Sequence, residues 1–179
     1  MKKLLLLLII PLFGFTQNVK ERVLLIKKMY KETQELVKTG TKDCKDVSYS
    51  EVFDDDEYSR PYDRDITYCD FGQGYSRISC DFFLDHSAVS AEYYFIYNHL
   101  YFAYVIVHFG FAQDEYRLYF NEEGSVIRLL ENIEDEGNTE VINQEERERL
   151  KEEHLYWLIK SQKALMKLAP ETDSPPWGE

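Results

Sequence analysis

Three spacings of apolar residues succeed one another along this chain. The first is an unbroken run from Leu4 to Phe13, preceded by Lys2 and Lys3 and closed by Gly14, Phe15 and Thr16. A positive start, an apolar middle and small residues three and one before a cut after Thr16 predict a secretory leader over 1–16. The second spacing is helical. Val19, Val23, Ile26, Tyr30 and Val37 recur at three- and four-residue steps, with Lys27, Lys28, Lys31 and Glu32 between them, so an amphipathic helix runs to Lys38 and ends at Gly40.

From Tyr75 to Glu131 the period falls to two, and β-branched and aromatic residues dominate. This pattern predicts strands over 76–84, 88–97, 100–109, 114–121 and 125–131, joined in order by short links as an antiparallel meander. Asn98 and His99 fit a two-residue turn that would set Tyr97 against Leu100, Phe95 against Phe102 and Tyr93 against Tyr104. The opposite face, with Tyr94, Ile96, Tyr101, Ala103 and Val105, is apolar as well, so both sides of the sheet need a cover. In the hairpin EYRLYFNEEGSVIRLL, Gly124 marks the turn. A glycine bulge there separates Arg117 from Arg128, which a direct register would place face to face.

Helical spacing returns from Gln144 to Leu168. Asn143 and Glu146 fit a capping pair, and Leu150, Trp157, Leu158, Leu165 and Leu168 form the apolar stripe. Residues 41–74 hold most of the turn chemistry and read as a long ordered loop, with one thin strand signal near Val47 to Phe53. The expected fold class is α+β, a five-stranded antiparallel β-meander flanked by an N-terminal and a C-terminal helix packed on one sheet face. The domain plan is a leader over 1–16, a single domain over 17–170 and a mobile C-terminal tail over 171–179.

Charge narrows the partners. The chain carries 33 acidic against 21 basic residues, a net charge of −12, and loss of the leader with its lysines deepens it. Without a basic stripe to displace counterions, nucleic acid is excluded as a partner. Beyond the leader no apolar segment reaches the roughly 20 residues that span a bilayer. An unknown protein or a small ligand is the expected partner.

Export changes the reading of the cysteines, because an oxidising compartment lets one pair of the three close. Cys80 shares a strand face with Ile78 and Phe82, whereas Cys44 and Cys69 bracket a polar segment, so the Cys44–Cys69 disulfide is expected, with three reduced thiols as the competing reading.

No spacing matches a catalytic signature, and the catalytic residues are unknown from sequence. Asp54, Asp55, Asp56 and Glu57 offer oxygens for calcium, but without the spacing of a calcium loop. The histidines His86, His99, His108 and His154 form no ligand pair at one-turn helical spacing. Glu92 stands out as an acid among Tyr94 and Ile96. The aromatic face of the meander, at Tyr94, Tyr101 and Tyr119, is the expected ligand or partner surface. These observations lead to an exported, periplasmic or secreted, non-catalytic binding protein. The alternatives are a carboxylate-dependent hydrolase with a cleft between the sheet and the 41–74 loop, and a divalent-cation (calcium) binding protein.

Overall fold

Strand alternation extends farther than the sequence pattern suggests, at both ends of the meander. The computed structural model describes residues 19–39, 43–52, 61–84, 87–133 and 137–168. The expected leader, the acidic cluster Asp54 to Glu57 and the tail over 171–179 lie outside these residues. Helix α1 (Val19–Thr39) is followed by β1 (Asp43–Val52), β2 (Pro61–Gly72), β3 (Tyr75–Leu84), β4 (Ser87–Ile96), β5 (His99–Phe109), β6 (Ala112–Phe120), β7 (Val126–Ile133) and β8 (Gly137–Glu140), then by helix α2 (Gln144–Leu168). Among the described residues the strands form one antiparallel sheet of eight in sequence order.

The five-stranded expectation is therefore corrected to eight. The segment read as a loop over 41–74 supplies β1 and β2, an antiparallel hairpin paired from Asp43↔Asp70 to Val52↔Pro61. Its acidic and polar residues pair across the strands: Ser48 Oγ donates to Asp65 at 2.9 Å, and Thr67 Oγ1 to Asp46 at 2.7 Å. A strand whose exposed face is polar lacks the apolar content on which a sequence pattern depends. Cys44 lies directly opposite Cys69 in this hairpin and is joined to it by the disulfide. Cys80, on β3, is buried at 4% exposure.

The two helices lie on opposite faces of the sheet, which corrects the expectation that both share one. Ile78, Ala91, Tyr93, Ala103, Val105, Leu118 and Leu129 pack with Leu150 and Leu158 of α2. Tyr94, Tyr101, Phe102 and Tyr119 pack with Val23, Ile26 and Met29 of α1. The reason is the two-sided apolar alternation itself: each face exposes apolar area to water unless something covers it, and each helix has one stripe to bury. Asn143 caps α2, its Oδ1 accepting from the N–H groups of Glu145 at 2.9 Å and Glu146 at 3.2 Å.

Register also departs from expectation at the β4–β5 turn. The turn residues are Tyr97 and Asn98, with φ of 48° and 66°, rather than Asn98 and His99. Tyr97 is held there because its N–H donates to the Gly74 carbonyl at 2.8 Å, extending the β3–β4 ladder by one bond. Gly74 has a φ of 82°, in the left-handed region that favours glycine, and a Cβ there would displace the Tyr97 ring. Ile96 then pairs with His99 and Phe95 with Leu100, while Tyr94 faces Phe102 and Tyr93 faces Ala103. The expected pairs Tyr97–Leu100, Phe95–Phe102 and Tyr93–Tyr104 do not form. The slip leaves Tyr101 as a bulge residue and turns its side chain to the α1 face beside Phe102. Around Gly124 the bulged hairpin expected from charge is present, with Arg117 opposite Leu130 and Arg128 opposite Tyr119. Among the described residues no helix is long and apolar enough to cross a membrane.

Candidate functional site

Helix α1 crosses its face of the sheet without covering all of it. It is anchored by Ile26, at 0% exposure, and by Arg22, whose Nη1 meets Glu122 of the β6–β7 turn at 2.9 Å. Tyr30 drives its ring edge-on into Tyr94 and Phe102, with centroids 5.1 and 5.0 Å apart. Beside this contact a cavity of about 560 Å³ opens between α1 and strands β5 to β8. That volume falls within the range of small-ligand sites.

The antiparallel register places the lining side chains. Phe102, Tyr119 and Arg128 lie in one row across β5, β6 and β7, and Tyr104, Arg117, Leu130 and Glu140 lie in the next across β5 to β8. All of them line the cavity, with Asn138 from β8 and Ile26, Lys27 and Tyr30 from α1. Strand alternation thus gives an aromatic wall and a guanidinium wall on the same face.

Arg117 is the centre of this arrangement. Its Nη1 donates to Asn138 Oδ1 at 2.7 Å, its Nη2 to Glu115 Oε2 at 2.7 Å, and its guanidinium lies 5.7 Å from the Tyr104 ring centroid. Arg128 meets Glu140 at 3.1 Å through Nη2, while its Nε is buried without a hydrogen-bond partner among the described residues. Lys27 is exposed at the rim. Three cations therefore face one carboxylate in the lining, inside a chain whose net charge is −12. Burial raises the Tyr104 phenol above its ordinary range, with the Glu115 carboxylate adding to the effect, and burial does the same at Tyr119. Both stay protonated and able to donate.

The expected surface residues fare unequally. Tyr94 and Tyr101 are 0% and 1% exposed beneath α1, and Tyr119 is 4% exposed at the edge of the cavity. Glu92 is fixed rather than open: Arg77 Nη1 reaches its Oε1 at 3.0 Å and the Tyr94 hydroxyl donates to its Oε2 at 2.6 Å, with Gln34 donating to Tyr94 at 2.8 Å. His99 flanks a turn, and His154 is buried on the α2 face. Since 41–74 provides β1 and β2, the cavity lies between α1 and β5 to β8, away from the place expected for a hydrolase cleft. Among the described residues no three His, Cys, Asp or Glu side chains are grouped to hold a metal ion.

Arg117, Arg128, Tyr104 and Lys27 were not singled out as site residues from sequence. A signal was present, since Arg117 and Arg128 interrupt strands that are otherwise apolar, and it served there only to choose a register. No protein-family model, curated protein or solved structure matches this chain.

Proposed function

We propose that this is an exported, non-catalytic binding protein that holds a small ligand in the cavity between α1 and β5 to β8. The observation that carries the reading is the cavity itself, a volume of about 560 Å³ walled by aromatic rings and by two arginines already fixed in position. Pre-set donors on rigid strands lose little entropy when a ligand arrives. Binding is favoured over catalysis because Glu140, the one carboxylate of the lining, is engaged by Arg128, as Glu115 beside the lining is by Arg117. The disulfide supports export, since such bonds persist in oxidising compartments.

Native mass spectrometry of the protein purified from its own exported fraction tests this. The expected result is a bound small molecule that is lost when Leu130→Trp fills the cavity, with circular dichroism showing that the variant is folded. An identical adduct on both proteins, or none on either, overturns the reading.

A further inference from the structure

We infer that the cavity takes a small organic carboxylate carrying a ring, an inference that rests on the cavity being a binding site. The argument is an inventory of hydrogen-bonding groups. A guanidinium has five N–H donors and an ammonium three, and neither accepts. Arg117 commits donors to Asn138 and Glu115, and Arg128 to Glu140, which leaves donors on both. Lys27 has no partner among the described residues. On the acceptor side, Asn138 Oδ1 and Glu140 Oε2 are already engaged. The acceptors left in the lining are Glu140 Oε1 and the hydroxyl oxygens of Tyr30, Tyr104 and Tyr119, whereas the open charged groups are all donors, so a complementary ligand brings a charged acceptor of its own. A neutral polyol can accept from the same donors but brings no charge to set against the cations, so its hydrogen bonds to them are weaker than those of an ionised acceptor. An ammonium ligand meets three cations, and the carboxylates near them, Glu140 and Glu115, are already engaged by Arg128 and Arg117. A carboxylate satisfies the lining, and two of its three cations are arginines able to bind it through paired N–H groups. The ring is called for by Phe102, Tyr104 and Tyr119, whose faces offer rigid apolar area.

The experiment is NMR titration of the full chain with four probes: phenylacetate, phenylacetamide, phenethylamine and methyl glucoside. The expected result is that phenylacetate shifts the signals of Lys27, Arg117 and Arg128, while the other three probes bind at least about tenfold more weakly. Lys27→Gln should weaken phenylacetate by about three- to fivefold at low salt, and Lys28→Gln, the same change one residue away from the lining, by less than about 1.5-fold. Should the amide, the amine or the glucoside shift the cavity signals as strongly as the acid, the carboxylate inference fails and the cavity remains a binding site. If none of the four moves those signals, both readings fail. Equal weakening by Lys27→Gln and Lys28→Gln overturns the role of Lys27 and with it the charge argument.

Discussion

The Tyr101 hydroxyl lies 2.9 Å from Thr33 Oγ1, joining the β5 bulge to the buried face of α1. Thr33 spends its single hydroxyl proton on the Met29 carbonyl at 3.0 Å, so Tyr101 is the donor in the pair. Both residues are essentially sealed from water, at 1% and 0% exposure. The contact exists only because the slip between Tyr94 and Phe95 turns Tyr101 toward α1. An unslipped strand would have sent it to the α2 face.

Removing the Tyr101 hydroxyl as Tyr101→Phe should cost about 1 kcal/mol, the net value of a buried neutral hydrogen bond. Thr33→Val should cost a similar amount or more, because it leaves the Tyr101 hydroxyl unsatisfied. If the two hydroxyls act together, the double variant loses less than the sum of the singles, by about 1 kcal/mol in urea denaturation. Strict additivity would show that the pair contributes nothing.

A harsher change separates core from surface. Tyr94→Ser combined with Tyr101→Ser would abolish ligand capture and spare the fold if these rings were a docking surface. Their burial under α1 leads to the opposite outcome. Each truncation of a buried aromatic costs ~3–5 kcal/mol, and the pair should consume most of the 5–15 kcal/mol that holds a domain together. Far-UV circular dichroism and a thermal melt should show a largely unfolded chain at 37 °C, whereas a native-like melt would return the rings to the surface.

What the sequence made legible follows from how much apolar periodicity each element carries. The central strands β3 to β7 and both helices were found because their buried faces are continuous, and the Asn143 cap because its chemistry is local. Strand β1 showed only as the thin signal near Val47 to Phe53, and β2 was missed because its buried Ile66 and Tyr68 alternate with Asp65 and Thr67 of a polar face inside a segment dense in turn residues. β8, with the sequence GNTE, has none either. The β4–β5 register was misread because it depends on Gly74 and Tyr97, two residues on different hairpins that meet only in the folded sheet. The cavity was hidden for a related reason: its walls come from α1 and four strands, and no stretch of sequence contains them together.

The Cys44–Cys69 bond fastens β1, at the end of the strand order, to β2, whose Ile66, Tyr68 and Phe71 are buried. The cysteines are 25 residues apart, and in the chain-entropy account a loop of this size contributes about 3.5 kcal/mol by restricting the unfolded chain. Replacing both cysteines with serine, or adding reductant, should lower the melting temperature and speed hydrogen exchange first in β1 and β2. An unchanged melt under reducing conditions would mean that the strand pairing alone holds the edge of the sheet.

On the other face, His154 makes the attachment of α2 sensitive to acid. It is 3% exposed, its ring stacks on Tyr116 with centroids 4.4 Å apart, and its Nε2 is buried without a partner among the described residues. The Tyr93 hydroxyl donates to its carbonyl at 2.6 Å, fixing the helix at this point. Burial, reinforced by the positive charge of Arg149, lowers the imidazole from its ordinary value to about 4. Tyr116 is pushed upward by burial and by Glu131 and stays neutral in this range. In the unfolded chain the same histidine binds a proton near pH 6.5, so between those values the unfolded state holds more protons and stability rises with pH. The contribution is complete above about pH 6.5 and is lost progressively as pH falls from there to about 4, by about 3 kcal/mol in all. His154→Phe keeps the ring contact with Tyr116 and ends the titration. Urea denaturation at pH 7 and pH 4 should therefore show the wild-type chain losing about 3 kcal/mol more than the variant, and equal losses would place the acid sensitivity elsewhere.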